Sequence, residues 1–332
     1  PALAEKIQEL RVGALIRTSH QAQLKNPDAR LVLSEADLGA GLLNAFASSF
    51  QGITTGDNPR YIHQFWEQAS WGGDWAPLQS TGESSEHFTG SEQVFLWEAG
   101  KGSLASSSAA RIQGQSVWGQ SGVSIRQMRE LAATLNGGHP WDMNSATVIP
   151  NTPDHLPAIW CFCSSEEFGV AIRRIDQKVN VTSATMVKVP FDLDRWQQVA
   201  AERYPNGLPK PYSDDPTQWL FHGQPQSATD SLQVAVARLA GYRWPAETDG
   251  TMQLADQART WIALGEQLRE HTVDDGIICL PSVRGEAPAH DRLLKLLIAA
   301  WETVQPCSWK PAVLDKLLAD ADCAGKGLDV WL

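Results

Sequence analysis

Several features that would assign a class are missing from these 332 residues. No apolar run approaches the ~18 residues that indicate a membrane span, so we expect no membrane segment. The five cysteines are an odd set without paired spacing, which disfavours a disulfide framework and favours a reducing, cytoplasmic location. A net charge of −11 argues against a general nucleic-acid-coating surface.

Motifs for catalysis are missing as well. The sequence has no Gly-rich phosphate loop, no nucleophile elbow, no His-Glu-x-x-His and no Cys-x-x-Cys, so we assign no catalytic residue and no metal site. Asp154, with Asp176 and Lys178 downstream, imitates the carboxylates and lysine of a metal-dependent nuclease. That chemistry needs Asp176 and Lys178 on a strand, and the pattern places them in a helix, so we disfavour this alternative.

Charge and tryptophan are distributed unevenly. Acidic residues exceed basic ones in the first and last thirds of the chain, whereas the middle third is close to balanced. A basic face is therefore expected in the middle third. Fourteen tryptophans is an unusual number; aromatic rings stack on bases or sugars, although most of these rings are expected in cores.

The hydrophobic pattern predicts an α+β fold in three regions. Residues 1–50 are expected to form a helical connector, residues 51–195 a mixture of strands and helices, and residues 196–332 a Pro-rich linker and a mainly helical region. Residues 70–90 are predicted to be a loop. Strands are predicted at 93–97, 116–119, 122–125, 146–150, 180–191 and 276–280, and later helices at 230–240, 251–270, 291–304 and 311–321.

A helix that carries cations is predicted in the middle third. Ser164 and Glu167 fit a capping box at its start. Its polar side carries Arg173, Arg174 and Lys178. Its apolar side carries Phe168, Ala171, Ile172, Ile175 and Val179.

The stretch QGITTGDNPRYIHQFWE, residues 51–67, combines glycines with a helix-start signal. Asn58 is the predicted cap and Pro59 the first helical residue. Gly56 permits a tight turn or the close approach of a ligand. The free amides of the helix start, with Arg60 beside them, offer a place for an anion. From this segment alone, a capped helix that enters a core is the preferred interpretation.

Four blocks of sequence, in order, resemble the region after the catalytic domain in large adenine-specific DNA methyltransferases of restriction and phage-defence systems. The resemblance is greatest to the methylase associated with DISARM, and BREX and type IIG enzymes are more distant. It spans nearly the whole chain. The blocks are ITTGDNPRYIHQFWE, VWGQSGVSIRQM, IDQKVNVTSATMVKVPFDLDRW and YPNGLPKPYSDDPTQWLFHG.

The resemblance implies a target recognition domain that binds double-stranded DNA, with other defence-system subunits as further partners. The S-adenosyl-L-methionine site and the Asn-Pro-Pro-Tyr motif of such enzymes lie upstream, and this sequence contains neither. We therefore expect the chain to be an enzyme fragment, in agreement with a sequence that begins at Pro1 and ends in the apolar stretch 327–332. No cofactor-binding residue is assigned.

The resemblance also implies DNA-binding residues. Phosphates are expected to contact the cations of the predicted helix, Arg173, Arg174 and Lys178. Base edges are expected to contact Trp118, Ser121, Ser124, Arg126, Gln127 and Arg129. The target adenine or its phosphate is expected near Thr55, Gly56, Asn58 and Arg60. Residues 156–191 also resemble the end of a recognition domain in type I specificity subunits, and this resemblance implies that Thr182 lies in a Thr-rich strand that ends in Pro.

Three alternatives stay open from the sequence. Each of these residues has a simpler interpretation as solvated surface. The whole chain could instead be a non-catalytic module that docks other subunits of a defence complex, which suits its Pro-rich and acidic segments. A tryptophan-based sugar-binding module is the third alternative.

Overall fold

The computed structural model describes residues 3–12, 19–24, 41–64, 67, 73–210, 231–243, 247, 254–304 and 309–332. Within these ranges the chain forms two antiparallel sheets and a set of helices, which confirms the predicted α+β class. No helix among the described residues is long and apolar enough to cross a bilayer.

The larger sheet has the strand order β1-β7-β5-β6 and the smaller sheet the order β2-β4-β3. The strands are β1 (Ala47–Gln51), β2 (Ile62–Gln64), β3 (Trp75–Leu78), β4 (Gln93–Leu96), β5 (Gly122–Arg126), β6 (Ala133–Asn136) and β7 (Ser145–Pro150). All neighbouring strands are antiparallel. The predicted strands at 93–97, 122–125 and 146–150 are thus confirmed as β4, β5 and β7.

The helices fall into two groups along the chain. Those before residue 210 are α1 (Leu3–Val12), α2 (His20–Gln23), α3 (Asn58–Tyr61), α4 (Ser103–Ser106), α5 (Leu156–Cys163), α6 (Glu166–Ile175), α7 (Ser183–Met186) and α8 (Leu193–Arg203). Those after residue 230 are α9 (Ser231–Leu239), α10 (Asp256–Glu266), α11 (Ala289–Val304), α12 (Pro311–Asp320) and α13 (Leu328–Trp331). The four helices predicted after residue 230 are confirmed as α9 to α12. We call residues 41–210 the sheet unit and residues 231–332 the helical unit.

The core of the sheet unit lies around α5. Residues 158–163 are all buried, because this helix lies between the larger sheet and α8. Trp196 and Ala200 of α8 belong to the same core, so the core continues past the predicted boundary at 195. Burial raises the pKa of the Cys161 and Cys163 thiols, which keeps both protonated and unreactive. The apolar neighbours of these cysteines predict this role correctly.

The helical unit has a separate core. The inner face of α11 carries Leu293, Leu296, Leu297 and Ala300, all fully buried at helical spacing. A small apolar cluster around Val94 of β4 and Tyr242 joins the two units.

The expected helix through Phe46 is wrong over the described residues 41–46. A single 3₁₀ turn, Leu43–Ala45, leads directly into β1. β1 pairs with β7 from Ala47↔Pro150 to Gln51↔Ala146. These long-range ladder hydrogen bonds outweigh a local helical pattern.

The predicted strand at 180–191 is also wrong, since this segment contains the short helix α7. The hydroxyls of Thr182 and Thr185 hydrogen-bond each other at 3.0 Å and support a local turn. The apolar residues reach the core without a sheet ladder; they are Val181, Met186, Val187, Val189 and Phe191.

Three smaller expectations are also corrected. Residues 116–119 lie at a 3₁₀ turn, Gln115–Val117, and residues 276–280 form no strand. The predicted loop at 70–90 contains β3. Most of the Pro-rich segment 204–226 lies outside the described residues.

Candidate nucleic-acid interface

Several loops meet at one end of the larger sheet. Antiparallel pairing places the last residues of β1 and β5 beside the first residues of β7, with Gln51 opposite Ala146 and Arg126 opposite Ser145. Four of the sequence-predicted site residues lie in the loops that leave or enter the sheet here: Thr55, Gly56, Gln127 and Arg129. These loops are 52–57, 127–132 and 137–144.

Glu83 bridges two of the predicted arginines. Arg126 Nη1 donates to Glu83 Oε1 at 3.0 Å, and Arg129 Nη1 donates to Oε2 at 3.0 Å and to Oε1 at 3.3 Å. The side chains are 20%, 64% and 77% exposed for Arg126, Arg129 and Glu83. The hydrogen bond and charge of Arg126, with the charge of Arg129, lower the pKa of the Glu83 carboxyl.

Arg173 joins this pair but does not offer a free guanidinium. Its Nη2 donates to the carbonyl oxygen of Arg129 at 2.8 Å, and its Nη1 donates to the carbonyl oxygen of Lys178. The end of α6 is thereby tied to the β5–β6 turn. The expectation of a direct phosphate contact is corrected, because both terminal nitrogens of the guanidinium donate to backbone carbonyls. Arg173 is a positioning residue whose charge adds to that of Arg126 and Arg129.

Lys178 does not lie on the helix as predicted. α6 ends at Ile175, and Asp176 Oδ1 then accepts the backbone N–H of Lys178 at 3.0 Å, which closes a turn. Lys178 is exposed, and so is Val179, which the sequence placed on the apolar face. Arg174 is exposed on α6. The predicted single cationic face of a helix is therefore wrong.

The N-terminus of α6 is shifted by one residue from the prediction. Ser165, rather than Ser164, is the N-cap, and its hydroxyl accepts the N–H of Phe168 at 3.4 Å. Ser164 instead ends α5, where its hydroxyl donates to the carbonyl of Trp160. Two adjacent serines leave the sequence ambiguous at this position.

The β5–β6 turn that carries Arg129 has an unusual backbone. Arg129 has φ 57° and Leu131 φ 58°, in the left-handed region that residues other than glycine seldom adopt. The turn is closed by Arg126 N–H to Ala132 O at 2.8 Å. Such strain persists only where surrounding contacts fix it, and it clusters at binding sites. Here it places Arg129 beside Arg126. We call Arg126, Arg129, Arg173 and Lys178 the cationic corner.

Gln127 is buried, which excludes the base contact predicted for it. Its Nε2 donates to Val181 O and to Gln51 Oε1, both at 2.9 Å, and Gln51 Nε2 donates back to Gln127 Oε1 at 2.8 Å. The Gln127 N–H donates to Asn144 O at 2.9 Å. Gln127 therefore fastens three loops together behind the cationic corner. Ser124 is likewise buried, against Thr147.

The Thr-Gly-Asp-Asn segment forms a tight turn. Thr55 is 1% exposed; its hydroxyl donates to Asn58 Oδ1 and accepts the Asp57 N–H at 3.2 Å. Gly56 has φ 77°, and a Cβ there would lie 2.7 Å from the Cβ of Ala109. Only glycine therefore fits at Gly56, in agreement with the predicted tight turn.

The helix after this turn is a single turn rather than the long helix that the sequence predicts. α3 begins at Asn58 with Asp57 in the cap position, and it ends at Tyr61. One turn aligns too few amides for an anion site of its own. Arg60 is exposed, with its guanidinium 5.0 Å from the centre of the Tyr61 ring. Phe65 and Trp66, later in the same stretch, lie outside the described residues.

A groove of ≈ 250 Å³ opens beside this segment. We call it the amide groove; it is lined by Ile53, Asn58, Pro59, Ile62, Gln93, Asp142, Met143 and Asn144. The Asp142 carboxylate accepts from Ser145 Oγ at 2.7 Å and from Ser80 Oγ at 2.9 Å, and these two hydrogen bonds hold one wall of the groove in place. Met143 O accepts from Gln51 Nε2 at 2.7 Å. Through Gln51 and Gln127 the groove adjoins the cationic corner.

Two predicted residues lie away from this arrangement. Trp118 precedes β5, at the opposite end of that strand from Arg126, and packs against Phe95 and Trp97. Its buried Nε1 has no partner among the described residues. Trp118 is therefore a core residue and not a reader of base edges. Thr182 is exposed next to Val181, and its hydroxyl is bonded to Thr185.

Several residues that build the site have no recognisable signal in the sequence. Glu83 lies in a Gly- and Ser-rich stretch with no pattern, and Gln51, Gln93 and Asn144 are isolated amides. Only long-range packing brings Glu83 to the arginines and the amides to the groove beside them. Among the described residues, no group of three or more His, Cys, Asp and Glu side chains is arranged to hold a metal ion.

Comparison with known proteins gives no matching family model and no matching curated protein.

Proposed function

We propose that this chain is the DNA-recognition part of a site-specific adenine DNA methyltransferase from a restriction or phage-defence system. Methyl transfer from S-adenosyl-L-methionine is assigned to a domain outside this sequence, and the location is cytoplasmic. One observation carries the proposal: cations from three separate segments meet at one end of a sheet, beside a groove with amide side chains. The four sequence blocks that resemble such enzymes support it.

Backbone binding is assigned to the cationic corner. Arg129 and Lys178 are exposed, and Arg126 is held at the end of β5. Contacts from such cations to phosphates fix the register of a protein on a duplex without reading its sequence. Release of counterions makes this binding strongly dependent on salt. The acidic remainder of the chain keeps this binding local.

Base recognition is assigned to the amide groove. Asn58, Gln93 and Asn144 place amide donors and acceptors around an opening with apolar walls at Ile62 and Met143. Asn and Gln side chains pair with the donor and acceptor edge of adenine in a bidentate manner. The groove adjoins the cationic corner, so one duplex can engage both.

Charge reversal at Arg129 tests this proposal. Fluorescence anisotropy of a labelled duplex should show Arg129→Glu binding about tenfold more weakly than the parent chain, with a shallower dependence on salt. Arg269→Glu is the matched control: Arg269 is 63% exposed, pairs with Glu266 and lies in the helical unit. Equal losses for the two variants, or no duplex binding by the parent chain, would contradict the proposal.

A second candidate function is a protein-docking module of a defence complex. Three large apolar side chains of the helical unit favour it: Ile277, Leu280 and Val283 are 66%, 59% and 43% exposed. Clustered exposed apolar residues mark protein interaction sites. A docking module ignores DNA, so size-exclusion chromatography with and without a duplex separates the two functions.

A further inference from the structure

Glu83 occupies the place of an anion between two guanidinium groups. Each of its oxygens accepts from an arginine at 3.0 Å, and among the described residues the carboxylate has no other partner. A pair of planar guanidinium groups can bind a carboxylate or a phosphate in the same way, because each of these anions presents several acceptor oxygens. The carboxylate is 77% exposed, so a ligand can reach and displace it.

The loop that carries Glu83 is fastened close to its arginines. Glu86 N–H donates to Ala133 O at 3.1 Å, and Ala133 N–H donates to Ser85 Oγ at 3.0 Å. Both contacts lie along the outer edge of β6, within three residues of Glu83. A short tether gives the carboxylate a high effective concentration at the arginines.

The two arginines are held independently of Glu83. Arg126 is the last residue of β5 and 20% exposed. Arg129 lies in the strained turn, and its carbonyl is bonded to Arg173. Both side chains therefore originate from backbone that stays in place when the carboxylate leaves.

We propose that Arg126 and Arg129 form a binding site for one phosphodiester of a nucleic-acid backbone, and that Glu83 fills this site in the free protein. The inference rests on the proposed function. When a phosphate binds, the two ion pairs of Glu83 break and two ion pairs between the arginines and the phosphate form. The net contribution of this site to the binding free energy is therefore small. Weak backbone binding leaves discrimination between sequences to the contacts in the amide groove.

The test compares Glu83→Gln with Glu130→Gln in anisotropy titrations with a labelled random-sequence duplex. Both substitutions remove one negative charge near Arg129, but Glu130 is exposed and forms no ion pair with an arginine in the part of the chain that the structure describes. Glu83→Gln should bind about tenfold more tightly than the parent chain, because two exposed ion pairs no longer compete. Glu130→Gln should change affinity by less than about twofold.

A second pair of variants isolates the arginines. When Arg126 and Arg129 are both replaced by Gln, adding Glu83→Gln should leave the affinity for DNA unchanged. The Glu83 carboxylate then has no guanidinium group to withhold from the phosphate. Equal gains from Glu83→Gln and Glu130→Gln, or no gain from Glu83→Gln, would overturn this inference and leave the proposed function standing. Absence of duplex binding in every variant would overturn both.

Discussion

Two arginines in the two units of this chain show opposite uses of the same side chain. Arg238 of α9 is 1% exposed and donates to both oxygens of Glu247, itself 8% exposed, at 2.6 and 2.7 Å. Arg129 is 64% exposed, and its partner Glu83 is more exposed still. A buried pair cannot exchange partners without leaving an unpaired charge, whereas an exposed pair can. We therefore assign the Arg238–Glu247 pair to stabilisation of the fold and the Arg129–Glu83 pair to ligand binding.

The buried pair packs against α10 of the helical unit. Gly265 of α10 lies so close that a Cβ there would be 2.7 Å from Arg238 Nη2. The guanidinium also donates to Tyr242 O at 3.4 Å. Tyr242 belongs to the apolar cluster that includes Val94 of the sheet unit. Loss of Arg238 should therefore affect both the helical unit and its junction with the sheet.

The largest expected effect is on stability, from Arg238→Met. The substitution removes the guanidinium that donates to both oxygens of the buried Glu247 carboxylate, which costs about 3–5 kcal/mol. Urea denaturation monitored by tryptophan fluorescence measures this loss. Replacing Glu247 by Leu in the same chain should restore most of the stability. A loss below about 1 kcal/mol would show that the pair is not buried in solution.

A smaller effect is expected in the sheet unit, from His87. Its Nε2 is hydrogen-bonded to Tyr204 Oη at 2.8 Å, and its ring stacks on Trp160 at 5.2 Å. Burial, with a contribution from Arg203, lowers the pKa of His87 from 6.5. The unfolded chain therefore takes up the proton first as pH falls. This contribution to stability is complete above pH 6.5 and is lost as pH falls toward the lowered pKa.

Thermal melts across this range measure the effect. The Tm of the parent chain should decline between about pH 7 and pH 5, and His87→Phe, which keeps a ring on Trp160 but does not titrate, should decline less. Identical pH profiles for the two proteins would count against a neutral, packed His87.

The sequence predicts the elements of this fold better than their assembly. The pattern finds β5 and the helices of the helical unit, because period and caps are local properties. It fails at 180–191, where β-branched residues favour a strand but the threonine hydroxyls support a turn. It also fails at Phe46, where pairing with β7 decides the structure.

The candidate site shows the same limit. The sequence identifies Arg126, Arg129, Arg173 and Lys178 separately, but it places two of them, Arg173 and Lys178, in the wrong surroundings. A capping box cannot show that Arg173 turns toward backbone carbonyls. Glu83 lies 46 residues before Arg129 in the chain, so no local pattern could place it between two arginines. Antiparallel pairing of β5 with β7 and β6 brings these segments together. The hydrophobic periodicity of a sequence does not show which strands pair with each other.

Hydrogen–deuterium exchange of the chain, with and without a duplex, tests the central claim most directly by locating the DNA. DNA should slow exchange in the segments 126–132 and 176–182 at the end of the larger sheet, and it should leave exchange in α10 and α11 of the helical unit unchanged. Slowed exchange confined to the helical unit, or unchanged exchange at the cationic corner under conditions where the duplex is bound, would contradict that claim.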